Sequence, residues 1–181
     1  MVSLKSMFKN KLITTPLIIS AVIFIVSVLV GLYLYDGLIP LVGDEVTIDN
    51  IEIGTIDILK NNLLVILSNI FFSIVTFGIY GVISNSFNGI ILGVTMGLAY
   101  NKFGLKTVLL RILPHGIVEI PTIIVSTAFG FIVVSVIINL IKKKSININK
   151  LLAEIVILIV STLLLVVVAA LIEGNISMFL S

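Results

Sequence analysis

The feature that most limits what this chain can become is the run from Leu12 to Tyr35, which carries no charged residue. It is long enough for the roughly 20 residues that a helix needs to cross a bilayer. Lipid offers the backbone no hydrogen-bond partners, so a run of this kind has to close its N–H and C=O groups on itself, as a helix. Further apolar runs begin near Asn61, Ile90, Pro114 and Leu151. The chain is 59% hydrophobic and only 11% charged, against about 45–50% and about 25% for soluble domains. The expected fold is all-α: a polytopic transmembrane helix bundle of about five spans, forming one integral membrane domain over residues 1–181. The spans are expected at approximately 12–35, 61–83, 88–104, 112–140 and 151–172, with a polar outer loop over 36–60. The first run is too long for the apolar region of a signal peptide, about 7–15 residues, and no small-x-small cleavage site follows it.

Charge placement supplies an orientation. Lys5, Lys9 and Lys11 precede the first run, and Lys142-Lys143-Lys144 closes the fourth. Basic residues concentrate on the cytoplasmic side, so the N-terminus is expected inside and the C-terminus outside. The segment from Asp36 to Asp57 holds six acids and no basic residue, which suits a translocated, solvated loop. Its Val46–Ile53 portion alternates as a short extended piece would. The acids match no calcium-loop spacing. Lys102–Arg111 mixes bases with apolar residues and reads as a short helix lying in the interface. A re-entrant third segment would put that stretch inside; the two flanking helix ends favour a full span.

Asn and Gly in Ser84–Gly89 predict a turn between the second and third spans. Gly89, Gly93 and Gly97 repeat every four residues, the spacing that lets helix backbones approach closely. The chain has no cysteine, which excludes disulfides and thiolate chemistry. A net charge of +2, with no basic–aromatic pattern, gives no ground for a nucleic-acid partner.

Polar residues inside apolar runs are costly in lipid and are functional candidates by default. His115, the single histidine, and Glu119 stand four apart and share a helix face, which Thr122 and Ser126 continue. Pro114 suits a first turn, whereas Pro121 removes a donor inside the run. The second span carries its own stripe: Asn62, Asn69, Ser73, Thr76 and Tyr80. That stripe either bonds to neighbouring helices or faces the His115 stripe and encloses a polar track. With the expected topology, Glu173 and Asn62 reach the depth of His115 and Glu119. Three readings of this group stand open: a divalent metal such as zinc on His115, Glu119 and Glu173, a proton-handling acid–histidine pair, or a hydrogen-bonded helix clamp. Glu154, one turn from Lys150, is expected to pair with lysines at the opposite surface. No serine nucleophile constellation, P-loop or dinucleotide fingerprint is present.

Leu113-Pro114-His115-Gly116-Ile117-Val118-Glu119-Ile120-Pro121, Asn61-Asn62, Asn88-Gly89 and Ala169-Ala170-Leu171-Ile172-Glu173 stand in this chain. Together these four stretches resemble the stage II sporulation protein M family. The resemblance implies a multi-pass protein of the cell membrane, with His115, Glu119, Glu173, Asn62 and Asn88 as its motif residues. In spore-forming bacteria a member of that family works with peptidoglycan-degrading partners in the complex that drives engulfment; relatives also occur in archaea and in bacteria that form no spores. The expectation is a scaffold or assembly component of a membrane or envelope complex. Its partners would be the lipid bilayer, other membrane or envelope proteins and a possible second copy of itself. The alternative is a membrane enzyme or transporter that uses the His/Glu group.

Overall fold

A computed structural model describes residues 7–42, 55–109 and 113–180. It consists of five helices: α1 (Lys11–Val42), α2 (Thr55–Val75), α3 (Ile79–Thr107), α4 (Leu113–Ile141) and α5 (Ile148–Leu180). Among the described residues there is no strand. The alternating Val46–Ile53 piece lies outside the described residues. Stretches of α1, α3, α4 and α5 are long and apolar enough to cross a membrane, at 25, 28, 26 and 25 residues. The apolar part of α2, Leu59–Val75, is shorter.

Several of the described helix ends are set by side-chain or backbone caps. Asn10 Oδ1 accepts from Leu12 N at 3.1 Å and caps α1. The α2–α3 connection takes only three residues. Thr76 Oγ1 donates to Phe72 O at 2.6 Å and accepts from Tyr80 N at 2.9 Å, so one hydroxyl ends α2 and starts α3. Gly78, at φ 93, occupies the left-handed region that an L side chain resists, and its N–H reaches Ser73 O at 2.7 Å. After α4, Lys143 takes φ 51, the Lys144 N–H returns to Asn139 O at 3.0 Å, and Asn147 Oδ1 caps α5 through Lys150 N at 3.0 Å.

The expected turn at Ser84–Gly89 is therefore corrected: it falls at Thr76–Gly78, and Ser84–Gly89 lies inside α3. The polar and small residues there serve packing. Asn85 is fully buried and donates to Ser20 O of α1 at 2.8 Å; Asn88 donates to Ser84 O of its own helix at 2.8 Å. A Cβ on Gly89 would lie 2.7 Å from Ser27 Cβ, and one on Gly93 would lie 2.8 Å from Leu32 N. A Cβ on Gly97 would lie 2.7 Å from Tyr35 Cδ1. The three glycines thus face α1, and the rising pairs show that α1 and α3 run parallel. Part of the stretch expected as an interfacial helix, Lys102–Arg111, lies at the end of α3, and residues 110–112 lie outside the described residues. α3 continues past Lys102, breaks its helical geometry at Gly104 (φ 76) and ends at Thr107. The polar segment is also shorter than expected, because α1 persists to Val42 and α2 begins at Thr55.

α4 is the hub, in contact with each of the other four helices. Met7, Ile13, Phe129, Ile132, Leu151 and Leu158 form the apolar core where α1, α4 and α5 meet. Elsewhere many of the most deeply buried side chains are small and polar: Ser20, Ser73, Asn85, Thr122, Ser126, Thr127 and Thr162. Large apolar residues face outward instead, such as Leu164 at 63% and Ile83 at 63% exposure. That inversion suits a solvent as apolar as leucine, where burying hydrocarbon gains little and close backbone approach and hydrogen bonds hold helices together.

Candidate functional site: a polar seam between parallel helices

At the α2–α4 interface one buried asparagine makes a cluster of interhelical polar bonds. Asn69, only 3% exposed, donates from Nδ2 to Ser126 Oγ at 2.7 Å and to Thr127 Oγ1 at 3.3 Å. Its Oδ1 accepts from Ser73 Oγ at 3.3 Å. Thr127 Oγ1 passes on to Gly81 O of α3 at 3.4 Å, so one asparagine ties three helices. One turn along, a Cβ on Gly130 would meet Ser73 O and Gly78 Cα at 2.5 Å. Any side chain there would force α4 away from the α2–α3 turn.

The expected stripes do meet here, through Asn69 on one side and Ser126 on the other. Thr76 and Tyr80 do not belong to the α2 face, because the chain turns between them. Thr127 and Gly81 were missed as partners; the buried-face period that picks out Ser126 does not pick out its neighbour. Hydroxyls in the seam also bond their own helix. Thr122 Oγ1 donates to Glu119 O at 2.7 Å and Ser126 Oγ to Ile123 O at 2.9 Å. These bonds flank Pro121, which lies inside α4 without ending it and leaves the carbonyl four residues earlier without its usual donor.

Register extends the seam toward the start of both helices. Asn69 pairs with Ser126 and Ser73 packs against Gly130, the same offset twice. Parallel helices crossing at a small angle repeat their contacts every seven residues. Carried one heptad back, the same offset pairs Asn62 with Glu119 in register. Asn62 is half-buried, and its Nδ2 is buried with no hydrogen-bond partner. Glu119 is half-buried. The backbone places His115 one turn before Glu119 in α4, and Glu173 in the late part of α5, at the end of the bundle where α2 and α4 begin. The side chains of His115 and Glu173 lie outside the described residues. Among the described residues, no three His, Cys, Asp or Glu are grouped as a metal would need. Asn88 stands apart from the seam, its amide bonded within α3.

Glu154 keeps the expected lysine partner, Lys150, but is buried and not at the surface. It is 0% exposed, and its carboxylate accepts from Asn10 Nδ2 at 2.5 Å. Lys150 Nζ lies 3.7 Å from the other oxygen. Asn10 precedes α1, so this bond closes the first helix onto the last. The i, i+4 spacing of Lys150 and Glu154 was legible in the sequence; the amide from the far end of the chain was not.

These features define a multi-helix membrane protein whose interior polar residues bind helix to helix. The chain belongs to the stage II sporulation protein M family, whose model matches residues 20–178. It is also similar to an uncharacterised protein of the methanogen Methanocaldococcus jannaschii, 34% identical over 119 residues, which is 64% of this chain and 66% of that one. The match thus spans a little under two thirds of that relative's length. No solved structure matches the chain.

Proposed function

We propose that the protein is a multi-pass scaffold of the cell membrane, an assembly component of a membrane or envelope complex, oriented with its lysine-rich end in the cytoplasm. One observation carries this reading: Asn69 joins α2, α4 and, through Thr127, α3 by hydrogen bonds confined to the bundle interior. A polar residue bonded to one neighbouring helix and relayed through it to another positions those helices, and a fixed arrangement of helices is what a platform for other membrane proteins needs. On this reading His115, Glu119, Glu173 and Asn62 shape the end of the seam and hold the helix starts in place. The partners are envelope proteins that meet the lipid-facing helices and the segment between α1 and α2.

The test is complementation in a strain that depends on the protein, with His115→Gln, Glu119→Gln and Glu173→Gln, each checked for insertion and for helix content. A scaffold keeps its function in all three when they fold, and it migrates in native membranes in an assembly heavier than its own 19.6 kDa. A folded, inserted His115→Gln or Glu173→Gln variant without function would instead assign chemistry to that end.

A further inference from the structure

The lysine-bearing end of the bundle has a one-sided charge. The chain has no acid before Asp36 and none between Glu119 and Glu154, so Glu154 is the one acid in the segments that build this end. It is turned fully inward onto Asn10 and Lys150. What remains at the surface is Lys9, Lys11, Lys142, Lys143 and Lys144, all exposed, together with Lys150, whose side chain is 44% exposed. The set is contiguous: the Asn10–Glu154 bond brings the start of α1 beside the start of α5, and only residues 145–147 separate the triple lysine from α5.

The presentation is ordered. Lys142, Lys143 and Lys144 each return a backbone N–H to α4, at 3.0, 2.9 and 3.0 Å, so the three ammonium groups project from a closed helix end. Next to them Ile141 is 75% and Ile148 62% exposed. Lysines beside bare isoleucines fit an interface in which the stems lie along hydrocarbon and the heads reach headgroup phosphates.

We infer that this end is a binding surface for anionic phospholipid, with the lysines on the headgroup phosphates and the isoleucines on the upper acyl chains. Charge complementarity selects the occupant: six cations with their single nearby acid withdrawn attract a negative surface, and the adjoining apolar side chains favour a lipid over a soluble phosphate. Each lysine near such a surface contributes about 1 kcal/mol, or about fivefold in affinity. Burying Glu154 therefore does more than tie α1 to α5, since an exposed carboxylate among the lysines would repel the same headgroups.

The experiment is native mass spectrometry of the detergent-purified full chain with equimolar dioleoyl phosphatidylglycerol and dioleoyl phosphatidylcholine, repeated with added glycerol 3-phosphate. The wild type should retain phosphatidylglycerol at least about fivefold over phosphatidylcholine, and the free phosphate should not compete. The variant K142Q/K143Q/K144Q, altered only at exposed positions, should lose most of the preference at unchanged helix content, the remainder resting on Lys9, Lys11 and Lys150. K9Q/K11Q should lower the preference partway, and K102Q/K106Q, in the last part of α3, should leave it intact. The inference is overturned if the wild type shows no preference, if the triple variant keeps it, or if glycerol 3-phosphate displaces the lipid.

Discussion

Asn69→Ala removes the residue on which the seam depends, and its cost can be worked from the bonds it makes. The amide donates twice across the α2–α4 interface, to Ser126 and Thr127, and accepts once from Ser73 within α2. Interhelical bonds in membrane proteins average about 0.6 kcal/mol each, so the two together contribute about 1 kcal/mol. The gap left by the amide adds about 1 kcal/mol, at the low end for large-to-small changes in a packed interior. The Ser126 and Thr127 hydroxyls are not orphaned, because they still reach Ile123 O and Gly81 O; Ser73 Oγ loses its Asn69 acceptor but can turn to a carbonyl of its own helix. That keeps the total near about 2 kcal/mol, below the range for stranded buried polar groups at its upper end. The assay is reversible unfolding in mixed micelles, followed by helical circular dichroism, for Asn69→Ala, Ser126→Ala and the double variant. A coupling of about 0.5–1 kcal/mol between the two sites is expected. Strict additivity, or a loss under about 0.3 kcal/mol for Asn69→Ala, would refute the seam as a clamp.

Three further outcomes follow from the same geometry. Gly93→Leu should destabilise the bundle by about 1–3 kcal/mol or more, because its Cβ would meet backbone atoms of Gly31 and Leu32 that cannot swing aside; the micelle unfolding midpoint reports it. Gly37→Ala, with nothing within 4 Å of the added carbon, should be neutral or stabilising by up to about 1 kcal/mol through helix propensity. Asn10→Ala should cost more than Lys150→Ala in the same assay: the first removes a helix cap worth about 1 kcal/mol and a donor to a fully buried carboxylate, the second a half-exposed ion pair worth about 0–1 kcal/mol.

The architecture was legible because lipid makes the rules severe. Uncharged runs must be helices, and small residues spaced by four must face a neighbour, as Gly89, Gly93 and Gly97 do. The turn was not legible, for the same reason in reverse. Asn and Gly signal turns in water, where a helix has no need to spend them on packing; in a bundle surrounded by lipid, Asn85 and Gly89 are interface residues, and a Thr-Phe-Gly triplet with one capping hydroxyl makes the bend. The stripe on α4 pointed to Ser126 and that on α2 to Asn69, so the seam followed once the helices were known to run parallel. Asn10 and Glu154 escaped because periodicity speaks only within a helix, and their bond joins the two ends of the chain.

The most direct test of the account is the α2–α4 register, and the cysteine-free chain allows it without background. Asn62→Cys with Glu119→Cys, oxidised in native membranes, should form an intramolecular disulfide. Asn62→Cys with Ser126→Cys, displaced by one heptad or about 10 Å along the helix, should not, since bridged cysteines need Cα atoms within about 7 Å. Cross-linking of the displaced pair, or of neither pair, would mean that α2 and α4 do not share the seam on which the proposed scaffold rests.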